Sequence, residues 1–177
     1  MDRVTRQHLI AQYMRGPSVI AAAIKKIGRS NLDTRSAPDE WSPRQVVHHL
    51  ADSEMAHAFR LRRLIAEPHP VIQAYNEAEF ARQLHYDRPI ETSLEAFRAA
   101  RAASAELLGA LTELQWSHVG FHTETGRYTV EDWLRIMAVH AEDHALQILS
   151  VAESAAPKAK ARPPAVRSPS KAKRTKR

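Results

Sequence analysis

The chain has 177 residues, 44% of them hydrophobic, which is long enough for one domain with a substantial core and short for two. It contains no Cys, which excludes disulfides, thiolate nucleophiles and thiolate metal ligands. The net charge of +6 is unevenly placed, because residues 156–177 hold 9 of the 26 Lys and Arg and none of the 20 Asp and Glu.

The first two predicted elements are long helices. Apolar residues at helical spacing predict the first helix over about residues 4–27, with a kink or short break at Gly16-Pro17. The segment Ser42-Pro43-Arg44-Gln45 then offers a capping Ser, a Pro suited to the first turn and a Gln that can close a capping box. We therefore predict a second helix that runs to about residue 66, before Pro68 and Pro70.

Two more long helices are predicted beyond a long connection. Residues 67–91 form a crossover with a short helix after Asn76, and this length lets the third long helix run in the same direction as the second. A second capping box at Thr92-Ser93-Leu94-Glu95 predicts the third helix over about residues 92–114. Glu124-Thr125-Gly126-Arg127 indicates a turn between two short extended pieces, and the fourth helix is predicted from about residue 129 to 153.

Two histidines four residues apart on the fourth helix are the main functional signal. His140 and His144 project from one face, within a stripe that should turn into the core. Two buried imidazoles need partners for their lone pairs, so they are either metal ligands or hydrogen-bonded core residues. The spacing matches half of a zincin motif, but Ala141 stands where the catalytic Glu would be, so a zincin protease is not supported.

The second helix offers a third histidine. Its inward stripe is predicted to include Val46, His49, Leu50, Ser53, Arg60 and Leu64, and His49 fits this face better than its neighbour His48. Three imidazoles from facing helices would leave positions on a metal for water or substrate, as in catalytic sites. The remaining histidines are expected at the surface or in capping roles: His8, His57, His69, His85, His118 and His122. Among them, His122 lies in a loop that could fold over the mouth of the site.

The segment from Trp41 to Ser53, together with His140-x-x-x-His144 and Gln147-Ile148, resembles the DinB-like superfamily. The crossover segment 70–77 is similar to that of its YfiT branch, which is described as metal-dependent hydrolases and linked to thiol S-transferases. The resemblance spans about residues 5–152. It implies an all-α four-helix bundle of up-up-down-down type, with a zinc or nickel ion held by His49, His140 and His144.

The leading hypothesis is a metal-dependent enzyme that hydrolyses a small molecule or transfers a low-molecular-weight thiol to it. Asp52, Arg60 and Asp143 are the candidate catalytic residues, with Arg60 able to pair either with a substrate carboxylate or with an acid such as Glu77. Glu54 and Glu142 are further acids that could orient the ligands. The alternative is a non-catalytic binding or stress-response protein in which the metal has a closed, four-ligand site.

The basic segment 156–177 is predicted to be a disordered tail after a domain of residues 1–155. It suggests at most weak, non-specific attachment to nucleic acid. The resemblance also suggests a homodimer, to which Trp116, Trp133 and the crossover could contribute. Neither a secretory signal nor a run of about 18 apolar residues is found, so we expect a soluble cytoplasmic protein without membrane association.

Overall fold

Four long helices form a bundle in the computed structural model, which describes residues 1–155; the predicted tail lies outside the described residues. None of the described helices is both long enough and apolar enough to cross a membrane. The elements in chain order are α1 (Arg3–Ile27), a 3-10 turn (Arg29–Asn31), α2 (Pro43–Ala66), β1 (Val71–Ile72), α3 (Glu77–Gln83), α4 (Glu91–Ala110), α5 (Glu113–Trp116), β2 (Val119–His122), β3 (Gly126–Thr129) and α6 (Val130–Ala155).

Side-chain caps set most helix starts. The capping box predicted for α2 is present, with the Ser42 side chain accepting from the Gln45 amide and the Gln45 side chain accepting from the Ser42 amide. The box predicted at Thr92 is wrong: α4 begins one residue earlier, after Ile90, and has no side-chain cap. Ser93 lies inside α4, where its hydroxyl bonds the buried ring of His48 at 2.8 Å. The third helix also ends earlier than predicted, at Ala110, and α5 follows as a separate turn.

The bundle confirms the predicted fold class and the crossover that makes α4 parallel to α2. Helix α1 is parallel to α6 and antiparallel to α4, so the chain-order directions are up, down, down and up. This order differs from the up-up-down-down order that the resemblance implied, in which the first two long helices are parallel, because the long crossover lies between α2 and α4. The directions follow from pairs of contacts along each helix pair. Between α2 and α4 these are His48 with Ser93 and Glu54 with Arg101, and between α1 and α6 they are Arg6 with Glu131 and Gln12 with Glu142. Between α2 and α6 they are His49 with His144 and His57 with Trp133.

The predicted break at Gly16-Pro17 is absent, because α1 is continuous through it. Pro17 has no N–H for the carbonyl of Tyr13, four residues before it. Arg101 Nη1 donates to that carbonyl instead, at 2.8 Å. A Cβ on Gly16 would lie 2.0 Å from the same Nη1 atom, so this Gly is what lets the guanidinium reach the helix backbone.

Arg101 is also the centre of a buried network that joins all four long helices. Its Nε donates to Glu54 Oε2 at 2.9 Å, its Nη2 donates to the Met137 carbonyl at 3.1 Å, and Tyr13 donates its hydroxyl to the same Glu54. Burial raises the pKa of Glu54, and the charge of Arg101 opposes this shift. We refer to Arg101 and Glu54 as the central ion pair.

A small sheet closes one end of the bundle. The predicted extended pieces are β2 and β3, which pair antiparallel; β1 joins parallel to β2, a contact that sequence reasoning missed. Trp116 and Trp133, expected at a dimer face, are instead 5% and 0% exposed within the core. Trp133 donates its indole N–H to the carbonyl of His57 at 2.8 Å, which anchors α6 to α2 near the candidate site.

Candidate metal centre

Three histidines from two helices converge at mid-bundle. The potential ligand atoms of His49, His140 and His144 all lie within 4.8 Å of one another. Nε2 of His140 and Nε2 of His144 are 3.2 Å apart. Two nitrogens bound to one tetrahedral ion at about 2.0–2.1 Å would have a similar separation. The structure therefore brings together the three residues predicted as ligands, in an arrangement that can hold a divalent metal.

The antiparallel packing of α2 against α6 positions these side chains. Both predicted inward stripes are correct, since their apolar members are buried against each other on either side of the histidines. His49 is 2% exposed, and the Trp41 ring lies over it with 4.9 Å between ring centroids. His140 and His144 are half-buried and differ by four residues, which places them one turn apart on the same face of α6.

Burial keeps the three imidazoles neutral. It lowers the pKa of His49 to about 3, with a smaller contribution from the positive charge that His144 would carry. It also lowers the pKa of His140 to about 2, and the pKa of His144 in the same direction. Neutral imidazole is the form that binds a metal, so at neutral pH the triad is in the protonation state that metal binding requires.

Hydrogen bonds determine which nitrogens are free. The Gln147 side-chain carbonyl lies 2.8 Å from Nδ1 of His144, so that nitrogen carries the hydrogen and Nε2 keeps its lone pair. Nδ1 of His140 is buried and has no hydrogen-bond partner among the side chains that the structure describes. Within the same part of the chain, no other His, Asp or Glu joins the cluster as a fourth ligand.

The acids proposed as bases or orienting groups lie elsewhere. Asp52 accepts from the Tyr86 hydroxyl at 2.7 Å, and Asp143 is exposed. Glu142 bonds the side chain of Gln12 at 2.6 Å, and Glu54 belongs to the central ion pair. The residue that orients a histidine of the triad is Gln147, an amide that follows His144 by three residues.

Arg60 and three residues around it form a polar group beside the triad. Arg60 donates to Nε2 of His57 at 3.1 Å, and the His57 ring lies 6.5 Å from that of His140. Tyr75 lies against the Arg60 guanidinium, and His122 is buried within electrostatic range of it. Sequence reasoning placed His57 at the surface and did not consider Tyr75. The signal available was helical spacing, since His57 lies between Ser53 and Arg60 on the stripe that was already predicted to face inward.

The other histidines differ in role. His48 is fully buried on the opposite side of α2 from the triad, where Ser93 and the Arg88 carbonyl bond its two ring nitrogens. His118 bonds the carbonyl of Ile65 near the end of α2, as expected of a capping residue. His8 is exposed on α1. All three histidines lie outside the triad.

Comparison with known proteins gives a consistent result. Residues 12–148 match the profile of the DinB superfamily. A protein of Oceanobacillus iheyensis named "putative metal-dependent hydrolase" is 33% identical over 135 residues, covering 76% of this chain and 78% of that protein. A Bacillus mycoides protein with the same description is 29% identical over 137 residues, covering 77% of this chain and 79% of the relative.

A solved structure shares the architecture. YfiT from Bacillus subtilis superposes with a TM-score of 0.80 and 26% sequence identity, covering 86% of this chain and 89% of that one. It is described as "a probable metal-dependent hydrolase with an unusual four-helix bundle topology". The likeness includes both helices that carry the histidine triad, because the matched region spans almost all of the described residues.

Proposed function

The chain belongs to the DinB superfamily, and we propose that it is a metal-dependent hydrolase of small molecules whose metal ligands are His49, His140 and His144. The observation that carries this proposal is the convergence of three neutral imidazoles without a fourth protein ligand in the described part of the chain. The names of the relatives from Oceanobacillus iheyensis and Bacillus mycoides support the same reaction class.

Each residue of the centre has a separable task. The three imidazoles supply neutral nitrogen donors, and Gln147 fixes the ring of His144 in the tautomer that presents Nε2. Trp41 covers one side of His49 and limits water access to it. A divalent metal in this setting supplies a Lewis acid that polarises a bound group and lowers the pKa of water or a thiol. Nitrogen-only ligation favours zinc or nickel over magnesium or calcium.

Thiol transfer is the second reaction that this donor set supports. The chain has no Cys, so the sulfur would come from a low-molecular-weight thiol as cosubstrate. Three protein ligands would leave room on the ion for that thiol, whereas a purely structural metal usually has four protein ligands. Assays with and without an added thiol separate the two reactions.

The first test is the metal content of untagged protein by elemental analysis. We expect close to one zinc or nickel per chain in the wild type, and strong loss of metal in each of His49→Ala, His140→Ala and His144→Ala. The matched control is His8→Ala, which removes an exposed histidine from α1 and should leave the metal content unchanged. Far-UV circular dichroism then verifies that each variant remains helical.

Activity is measured next on the loaded protein, with a panel of esters and amides and with thiol acceptors. Turnover that requires the metal and no thiol supports the hydrolase, and turnover only with a thiol supports the transferase. Wild type that takes up neither zinc nor nickel would overturn the proposal and leave the three histidines as core residues. A loaded protein without turnover on any substrate would favour the non-catalytic alternative.

A further inference from the structure

Arg60 is a buried cation without a carboxylate partner. Arg60 is only 9% exposed, and none of the acids among residues 1–152, whose side chains are described, lies within ion-pair distance of its guanidinium. Arg101, the other deeply buried arginine, has Glu54 at 2.9 Å. Since a buried charge is costly unless it is paired, Arg60 has the properties of a residue that binds an anionic ligand.

Neutral groups hold the Arg60 guanidinium in place. Nη2 donates to the carbonyl of Gln73 at 2.6 Å, and Nη1 donates to Nε2 of His57 at 3.1 Å. The His57 ring is fixed in turn, because its Nδ1 lies 2.9 Å from the carbonyl of Ser53 and must carry the hydrogen. Two of the five N–H donors of Arg60 are thereby used, and the guanidinium is oriented without its charge being neutralised.

A second donor without an acceptor lies next to Arg60. The Tyr75 ring is 5.3 Å from the guanidinium carbon. Its hydroxyl is buried beside Ser53, and no described group meets it at hydrogen-bond geometry. Ser53 is one helical turn after His49, so this hydroxyl points into the region between Arg60 and the histidine triad. Burial raises the pKa of the exposed Glu77 and the charge of Arg60 opposes this shift, but the two side chains do not form an ion pair.

We infer that Arg60 and Tyr75 form a carboxylate-binding subsite next to the triad. A carboxylate accepts N–H donors from a guanidinium in a planar, bidentate geometry and can also accept the tyrosine O–H. Its single negative charge matches the positive charge of Arg60, and His57 adds no charge because its Nε2 accepts the hydrogen bond from Arg60. Resting on the proposed hydrolase function, the inference assigns the substrate class: a carboxylate-bearing molecule whose scissile ester or amide lies across His57 from the acid group.

The test uses bifunctional probes, namely monohydroxamates of dicarboxylic acids of increasing chain length, each compared with the matching terminal amide. Calorimetric titration of the zinc-loaded protein gives their affinities. In the wild type we expect the carboxylate form to bind about 10- to 100-fold more tightly than the amide at the best chain length. Arg60→Met should reduce this ratio to near one, and Tyr75→Phe should reduce it several-fold.

The matched control is Arg63→Met. Arg63 follows Arg60 by three residues on α2, and its side chain pairs with the partly exposed Glu67. This variant should keep the full preference for the carboxylate. Wild type that binds the hydroxamates but does not distinguish carboxylate from amide would overturn the inference while leaving the metal site intact. A preference that persists in Arg60→Met would overturn it as well.

A metal-independent arm separates the two proposals. Glutarate should raise the thermal midpoint of metal-free wild type and of Arg63→Met, but not that of Arg60→Met. If glutarate has this effect while the protein binds no zinc, the carboxylate subsite stands and the hydrolase proposal fails. If glutarate has no effect on the wild type and no probe shows a preference, the subsite is refuted.

Discussion

Substitution of Arg101 by Met should destabilise the domain severely, although this residue lies outside the candidate catalytic centre. The change removes the charged partner of Glu54, whose carboxylate is 0% exposed. It also removes the donor to the Tyr13 carbonyl, which Pro17 cannot replace because it has no N–H. Met retains the length and apolar character needed to fill most of the space.

The expected loss follows from these two effects. Removing one partner of a buried ion pair costs about 3–5 kcal/mol of unfolding free energy, and an unsatisfied buried carbonyl adds about 1–3 kcal/mol. The two contributions share one site and need not add, so we expect a loss of at least about 3 kcal/mol. Domains of this size lose about 2–4 °C of Tm per kcal/mol, which gives a fall of at least about 6–12 °C.

The assay is urea unfolding followed by far-UV circular dichroism, with a chelator present so that metal binding makes no contribution. Arg63→Met is the control, since its pair with Glu67 is open to solvent and should contribute little to the free energy of unfolding. The double variant Glu54→Leu with Arg101→Met should be more stable than Arg101→Met alone, because no buried charge then remains unpaired. A loss below about 1 kcal/mol for Arg101→Met, or a double variant less stable than the single one, would refute the reasoning.

Three further outcomes follow from the same contacts. Gly16→Ala places a Cβ 2.0 Å from Nη1 of Arg101 and 2.8 Å from Cβ of Ala141. Urea unfolding should therefore show a loss of about 1–3 kcal/mol in the free energy of unfolding, and a smaller loss when Arg101 is already Met. Equal losses in both backgrounds would contradict this. Gln147→Ala removes the acceptor that orients His144 and should weaken the affinity for zinc about 10- to 100-fold. The measurement is a competition titration with a chromophoric chelator, and an unchanged affinity would exclude the orienting role. Zinc at about 100 times its Kd should stabilise the wild type by about 2.7 kcal/mol, seen as a rise in Tm that His144→Ala lacks; an equal rise in both proteins would place the bound zinc elsewhere.

The sequence predicted those features that depend on local pattern. Helical spacing identified the inward stripes of α2 and α6, and it placed His49, His140 and His144 on facing surfaces. The capping box at Ser42 located the start of α2 because every partner lies within four residues of it. Fold class and crossover were accessible for the same reason: periodicity and connection length are both properties of short segments.

Features that depend on distant partners were not predictable. Thr92 has the local signature of a cap, but α4 begins before it, and the next residue, Ser93, bonds His48, 45 residues away in the chain. Gly16-Pro17 has the signature of a break, yet Arg101 supplies the missing donor from another helix. The residues around Arg60 come from α2 and from the crossover, so no single segment shows that His57 and Tyr75 are close together.

The parallel direction of α2 and α4 has a consequence for how substrate preference can change. The chain must return along the whole of α2, about 36 Å for 24 residues, before α4 can begin. On the way it places the Gln73 carbonyl and Tyr75 at Arg60, and the Tyr86 hydroxyl at Asp52. The three histidines proposed as metal ligands and the central ion pair, in contrast, all belong to the long helices. Substitutions in this return path can therefore change the wall of the candidate site while the histidine triad and the central ion pair stay in place, so the molecules that fit beside the triad can change without loss of the bundle.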